Sequence, residues 1–319
     1  MGEQYLGPDT DQEYIKTHLA AIRKLDPIEI TTLPKPFNIA DTDRLSTFID
    51  VKMFWSCAIS VIARLEQQYG VKIDIVQPER YYTALPPESD ATGGFHDQRS
   101  LGYQYWYQAS FVVMLGKMVS KKLRTVELLR DFVHDCLHHS TFRSFRRAAR
   151  IPAKSPSEAK HRVPEVYREQ YGINFRNEDG LSYSSPELTK RSPESINLNL
   201  LMDGVVVLVT AWALQAEVGN IECVSTLETE LKKEIFIESF EGVSLRHARS
   251  FHDSVTVPSK LFIENWGGNY FTTLVLQSMI SGDLIRLKQF FEERTGIENA
   301  WEKLFKRPEF SFSTEKPIC

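Results

Sequence analysis

The stretch Leu198–Val218, LNLLMDGVVVLVTAWALQAEV, comes nearer to a membrane span than any other in this 319-residue chain. It nevertheless holds Asp203, Thr210, Gln215 and Glu217, and a charge at bilayer depth is costly. Its reading is a buried helix from Pro193 to about Val218, stopped by Gly219. Ser192 is a natural N-cap for that helix and Pro193 a natural first residue. On a helical wheel Asn199, Asp203, Thr210 and Glu217 fall within ~40° of one another, a narrow polar seam on an otherwise apolar rod. A buried carboxylate without a partner is expensive, so the seam must face polar groups elsewhere in the fold.

Outward from this rod, spacing predicts helices over Asp11–Leu25 and over Asp50–Gln68, the second closed by Gly70. Another begins at Thr125 as N-cap and runs to about Phe145. From Phe271 the chain reads as two helices, broken at Gly282–Asp283 and again at Gly296. Ile28–Leu33 and the alternating run Val71–Val76 read as strands. Residues 85–102 read as loop, and Tyr103–Leu115 as either a strand or a buried helix. The charged, proline-containing stretch 151–192 reads as a cap or insertion on one large domain, with a hairpin that leaves Ile173–Phe175 and turns through Asn177–Gly180. Residues 225–254 mix helical and extended signals, 255–263 read as extended, and a sub-boundary falls near 220–225. The sum is an α+β fold, predominantly helical with a small sheet.

Thirty-eight basic against 42 acidic side chains give a formal charge of −4, which excludes a nucleic-acid-binding polycation. Four cysteines without a CxxC pair exclude a disulfide scaffold and fit reduced thiols. The opening MGEQYLGPDTDQEY lacks the apolar core of a secretory signal, so the expected location is cytoplasmic.

Chemistry concentrates in Glu127–Phe142, ELLRDFVHDCLHHSTF, where three of the chain's eight histidines fall within residues 134–139. At ~100° per residue, with His134 at zero, Glu127 falls near 20°, His138 near 40°, Asp131 near 60° and Asp135 near 100°. His134 and His138 are one turn apart on one face, the spacing by which two imidazoles reach a single tetrahedral cation. Val126, Leu129, Val133 and Leu137 lie on the other side and predict a core-facing stripe. The five residues His134-Asp135-Cys136-Leu137-His138 resemble the HExxH helix of zincin metallopeptidases. The resemblance implies His134 and His138 as zinc ligands, Asp135 as the base towards a metal-bound water, and a third ligand from downstream. Aspartate is one methylene shorter than the glutamate of that motif, and Ser140 and Ser144 do not continue the metzincin pattern. Asp203, on the polar seam, is the candidate third ligand or the acceptor for a histidine N–H; Glu194, His252–Asp253 and Glu158 with His161 are alternatives.

Other readings stay open. Glu127, Arg130, Asp131, His134, Asp135, His138 and Thr141 also form the polar arc of an ordinary surface helix, and a salt bridge from Asp203 to Arg143 or Arg146 is the other reading of the seam. Arg143, Arg146, Arg147, Arg150 and Lys154 after the histidine helix suit either the helix dipole or an anionic substrate. Cys57, early in an apolar helix, is a candidate nucleophile or a small core residue. The favoured function is a metal-dependent hydrolase with divalent metal, zinc expected, in which Arg143 or Arg146 steadies the oxyanion. A polypeptide substrate is expected ahead of a phosphoester. The alternatives are a non-catalytic interaction or effector-like protein and a Cys57-dependent hydrolase.

Overall fold

The computed structural model describes residues 2–23, 37–84, 93–96, 111–114, 121–148, 165–176, 178, 182–183, 198–218 and 267–304. The chain begins with β1 (Glu3–Leu6) and α1 (Asp9–Ile22), then β2 (Phe37–Asn38), α2 (Thr42–Ser46) and α3 (Val51–Tyr69). Asp50 caps α3 by accepting the amide of Met53 at 2.9 Å, and Gly70 closes it with φ +63°, where a side chain would be strained. Then come β3 (Tyr81–Ala84), β4 (Gly93–His96), β5 (Phe111–Met114) and α4 (Lys121–Ser140). Next are β6 (Arg143–Arg147), β7 (Val166–Tyr171), β8 (Asn174–Arg176), β9 (Ser182–Tyr183) and α5 (Asn199–Val218). Three helices follow: α6 (Asn269–Ser281), α7 (Ile285–Thr295) and α8 (Ala300–Leu304).

The fold is α+β and predominantly helical. Helices α3, α4, α5 and α6 pack on one another around a continuous core that includes Phe54, Leu65, Phe132, Leu137, Met202, Val209 and Leu274. One five-stranded sheet runs β1-β6-β7-β8-β9, with β1 parallel to β6 and the rest antiparallel. A four-stranded sheet runs β2-β3-β5-β4. Gly282 and Gly296 end α6 and α7 with φ +77° and +66°, the two breaks expected from sequence. Among the described residues no helix is long and apolar enough to cross a membrane.

Four expectations change. The run Val71–Val76 is not a strand, because side chains take its amides. Ile73 donates to Glu66 Oε1, Asp74 to Ser140 Oγ, and Val76 to Cys136 Sγ at 3.4 Å. Burial there falls on Ile73 and Val76 while Ile75 is exposed, a repeat of three rather than two. The histidine helix starts at Lys121 and ends at Ser140, so Thr125 is inside it, its hydroxyl accepting the Asp50 amide and donating to the Lys121 carbonyl. Arg143–Arg147 is not its tail but a strand held between β1 and β7. Gly93–His96, read as loop, is β4, and from Tyr103–Leu115 the described part, Phe111–Met114, is its partner strand. Finally, 151–192 is no mere appendage, since its described residues supply three of the five strands of the first sheet. The hairpin leaving Phe175 does return, as β9. Ile28–Leu33, residues 225–263 and the start of the apolar helix before Leu198 lie outside the described residues.

Candidate metal centre

Helix α4 is buried on nearly all sides. Leu128, Leu129, Phe132, Val133, Cys136 and Leu137 meet the core, and the polar arc is covered too: Arg130, Asp131, Asp135 and His138 are all buried. The surface-helix reading is therefore corrected. α5 lies against α4, and the first turns of α5 are fixed from the sheet. Asn174 on β8 accepts the Leu198 amide at 3.2 Å. Gly172, at the β7–β8 turn with φ +57°, lets the backbone pass close to Met202; a Cβ there would stand 2.5 Å from its sulfur. Asp203 is the next residue.

One donor atom each from His134, His138 and Asp203 lies within 4.8 Å of the others. The rings of His134 and His138 are 4.7 Å apart between centroids. Asp203 Oδ1 stands 2.7 Å from His138 Nε2, off the line of an N–H···O bond. His138 is 4% exposed, whereas the Asp203 side chain is 28% exposed and opens the cluster to solvent. The polar seam of α5 thus divides its partners: Asp203 goes to His138, while Glu217 pairs with Arg64 on α3 at 3.7 Å. Asp203 does not face Arg143 or Arg146.

Tyr171, at the end of β7, decides the state of the His138 ring. Its hydroxyl donates to the His138 carbonyl at 3.2 Å, and its oxygen lies 3.1 Å from His138 Nδ1. A carbonyl can only accept, so the hydroxyl hydrogen is committed to it and Nδ1 must be the donor in its own contact. A hydrogen on Nδ1 would leave Nε2, on the Asp203 side, as the ligand atom, the arrangement of a metal-ligating imidazole steadied through its other nitrogen.

Asp135 lies outside this 4.8 Å group. Its Oδ2 accepts the buried Tyr81 hydroxyl at 3.0 Å. Burial, reinforced by the charge of Asp131, pushes its carboxyl well above the usual range. Asp131 is itself paired with the neighbouring Arg130. Arg143, 1% exposed, donates from Nη2 and Nη1 to the His138 and His139 carbonyls at 2.9 and 3.0 Å. It ties off the C-terminal end of α4 with these two bonds. Arg146 pairs with Glu169. Cys57 is 4% exposed in the core cluster, a packing residue and not a presented nucleophile. Burial pushes the Cys136 thiol up, so it is inert as well. His139 is held neutral, its pKa lowered to about 4 by burial and by Arg143.

Two residues around the cluster escape a reading of sequence, Tyr171 and Arg168. The only available signal is the aromatic and alternating character of Val166–Tyr171, which marks a strand but no function. The alternatives Glu194, His252–Asp253 and Glu158–His161 lie outside the described residues. No protein-family model matches the chain, and no curated protein or solved structure is significantly similar to it.

Proposed function

We propose that this chain is a metal-dependent hydrolase whose divalent ion is held by His134, His138 and Asp203. The supporting observation is the convergence of two imidazoles and a carboxylate within 4.8 Å, with Tyr171 fixing the His138 tautomer that leaves Nε2 as ligand. Two nitrogens and one carboxylate oxygen suit zinc, and three protein ligands rather than four are the pattern of catalytic sites, which keep a position for water. The chemistry such an ion would supply, when bound, is a water made acidic enough to act as nucleophile near pH ~7. Asp135 would be the base towards that water, as the likeness to the HExxH helix implies. Arg143 holds the helix end from which the two histidines project.

The test is metal content together with turnover. The full chain, purified and dialysed against trace zinc, should retain about one zinc per molecule and lose it in His138→Ala and Asp203→Ala. Hydrolysis of a substrate panel should stop with a chelator and return with zinc. A wild-type chain that holds no zinc, or variants that hold as much as wild type, would overturn the proposal.

A further inference from the structure

Arg168, in the middle of β7, is 5% exposed, and its Nε and Nη1 have no hydrogen-bond partner. A guanidinium keeps its charge at any ordinary pH, so open donors on a buried one carry a desolvation cost until an anion meets them. The surroundings raise that cost. Burial, then repulsion from Arg176 and Arg143 against a favourable contribution from Tyr171, draws its proton affinity well below the arginine range. Among the described residues no carboxylate pairs with it, and Arg143 already serves the His138 and His139 carbonyls.

The residue is also placed with care. The register of β6 against β7 slips by one residue at Glu169, between the pairs Ser144–Gln170 and Phe145–Arg168. That bulge puts Arg168 and Tyr171, three apart, on one face, and the guanidinium carbon lies 4.0 Å from the centre of the Tyr171 ring. The hydroxyl of the same ring touches His138. One tyrosine therefore stands between the open guanidinium and the metal centre.

We propose that Arg168 anchors an oxyanion subsite of this centre, and that its ligand is the phosphate group of a phosphate-bearing substrate. The planar fork of arginine matches two oxygens of such a group at once. A second arginine within electrostatic reach, Arg176, favours a doubly charged anion over a carboxylate. The subsite stands on Arg168 itself; the assignment of substrate rests on the hydrolase reading above, and turns its expectation from polypeptide to phosphoester.

Isothermal titration of the metal-stripped full chain with inorganic phosphate, and with acetate as the singly charged control, tests this. Phosphate should bind one to one, and acetate more weakly by about tenfold or more. Arg168→Lys keeps a charge but loses the fork, and should weaken phosphate by about tenfold or more. Arg168→Met removes a buried charge that lacks a counter-ion, so in phosphate-free buffer it should melt no lower than wild type. Phosphate should raise the melting temperature of wild type and leave that of Arg168→Met unchanged. His138→Ala should bind phosphate as wild type does, so a chain that takes phosphate but no zinc sinks the hydrolase reading and spares the subsite. A wild-type chain indifferent to millimolar phosphate, one that takes acetate equally well, or an Arg168→Lys chain of unchanged affinity would overturn the subsite.

Discussion

Tyr171→Phe removes one oxygen and should be felt in two places. That oxygen donates to the His138 carbonyl at 3.2 Å and receives the His138 Nδ1 hydrogen at 3.1 Å. The ring keeps its packing, so the change is nearly pure loss of hydrogen bonding. A buried Nδ1–H left without an acceptor costs about 1–3 kcal/mol of stability. The second effect falls on metal: when the partner that orients a ligating imidazole is lost, affinity drops by about 10–100-fold, or roughly 1.4–2.7 kcal/mol. Stability is read by denaturant unfolding of the metal-free chain, and affinity by zinc titration against a coloured chelator. The tautomer has its own readout in the ring-nitrogen NMR shifts of His138, which should show Nδ1–H in wild type. A Tyr171→Phe chain with wild-type zinc affinity, or a wild-type chain carrying its hydrogen on Nε2, would refute the reasoning.

Three further outcomes are expected. Gly172→Ala places a Cβ 2.5 Å from Met202 Sδ at φ +57°. It should lose about 1–2 kcal/mol from the left-handed backbone and about 1–3 more from overpacking, measured by denaturant melts, and because Met202 adjoins Asp203 it should weaken zinc as well. Glu66 is held below its ordinary 4.5: burial opposes this, but the Ile73 amide and the Lys72 ammonium outweigh it. A carboxylate depressed in the folded state adds stability above the unfolded value and loses it as pH falls through the folded one. Glu66→Gln should thus be less stable than wild type at pH 7, by up to about 1 kcal/mol, with the gap closing as pH falls below the ordinary glutamate range. Native protein should resist alkylation of Cys57 and Cys136 by iodoacetamide, followed by intact mass, since both are buried; rapid labelling of Cys57 with loss of activity would revive a thiol mechanism.

How far the site could be read from sequence follows from the range of the interactions. His134 and His138 share a face because both sit on one helix, and a period of 3.6 residues is visible in any string of letters. Asp203 is partly legible too, because a charge on an apolar rod needs a partner, though spacing alone leaves the histidine stripe and the arginines at 143 and 146 equally open. The Gly70, Gly282 and Gly296 stops were equally local. Val71–Val76 misleads because its alternation is genuine, yet its amides are taken by Glu66, Ser140 and Cys136, the last two 66 and 60 residues from the amides they accept. Arg143–Arg147 looked like the basic end of a helix because nothing nearby announces that β1 and β7 will flank it. Tyr171 and Arg168 owe their roles to a bulge and a helix met only after folding. No spacing rule reaches across such gaps.

The most direct measurement is anomalous diffraction at the zinc edge from crystals of the full chain grown with zinc. The expected result is a single strong peak about 2.0–2.2 Å from His138 Nε2, a His134 ring nitrogen and an Asp203 oxygen. A map with no peak between these three side chains, or with zinc bound only elsewhere, would contradict the metal centre and the chemistry assigned to it.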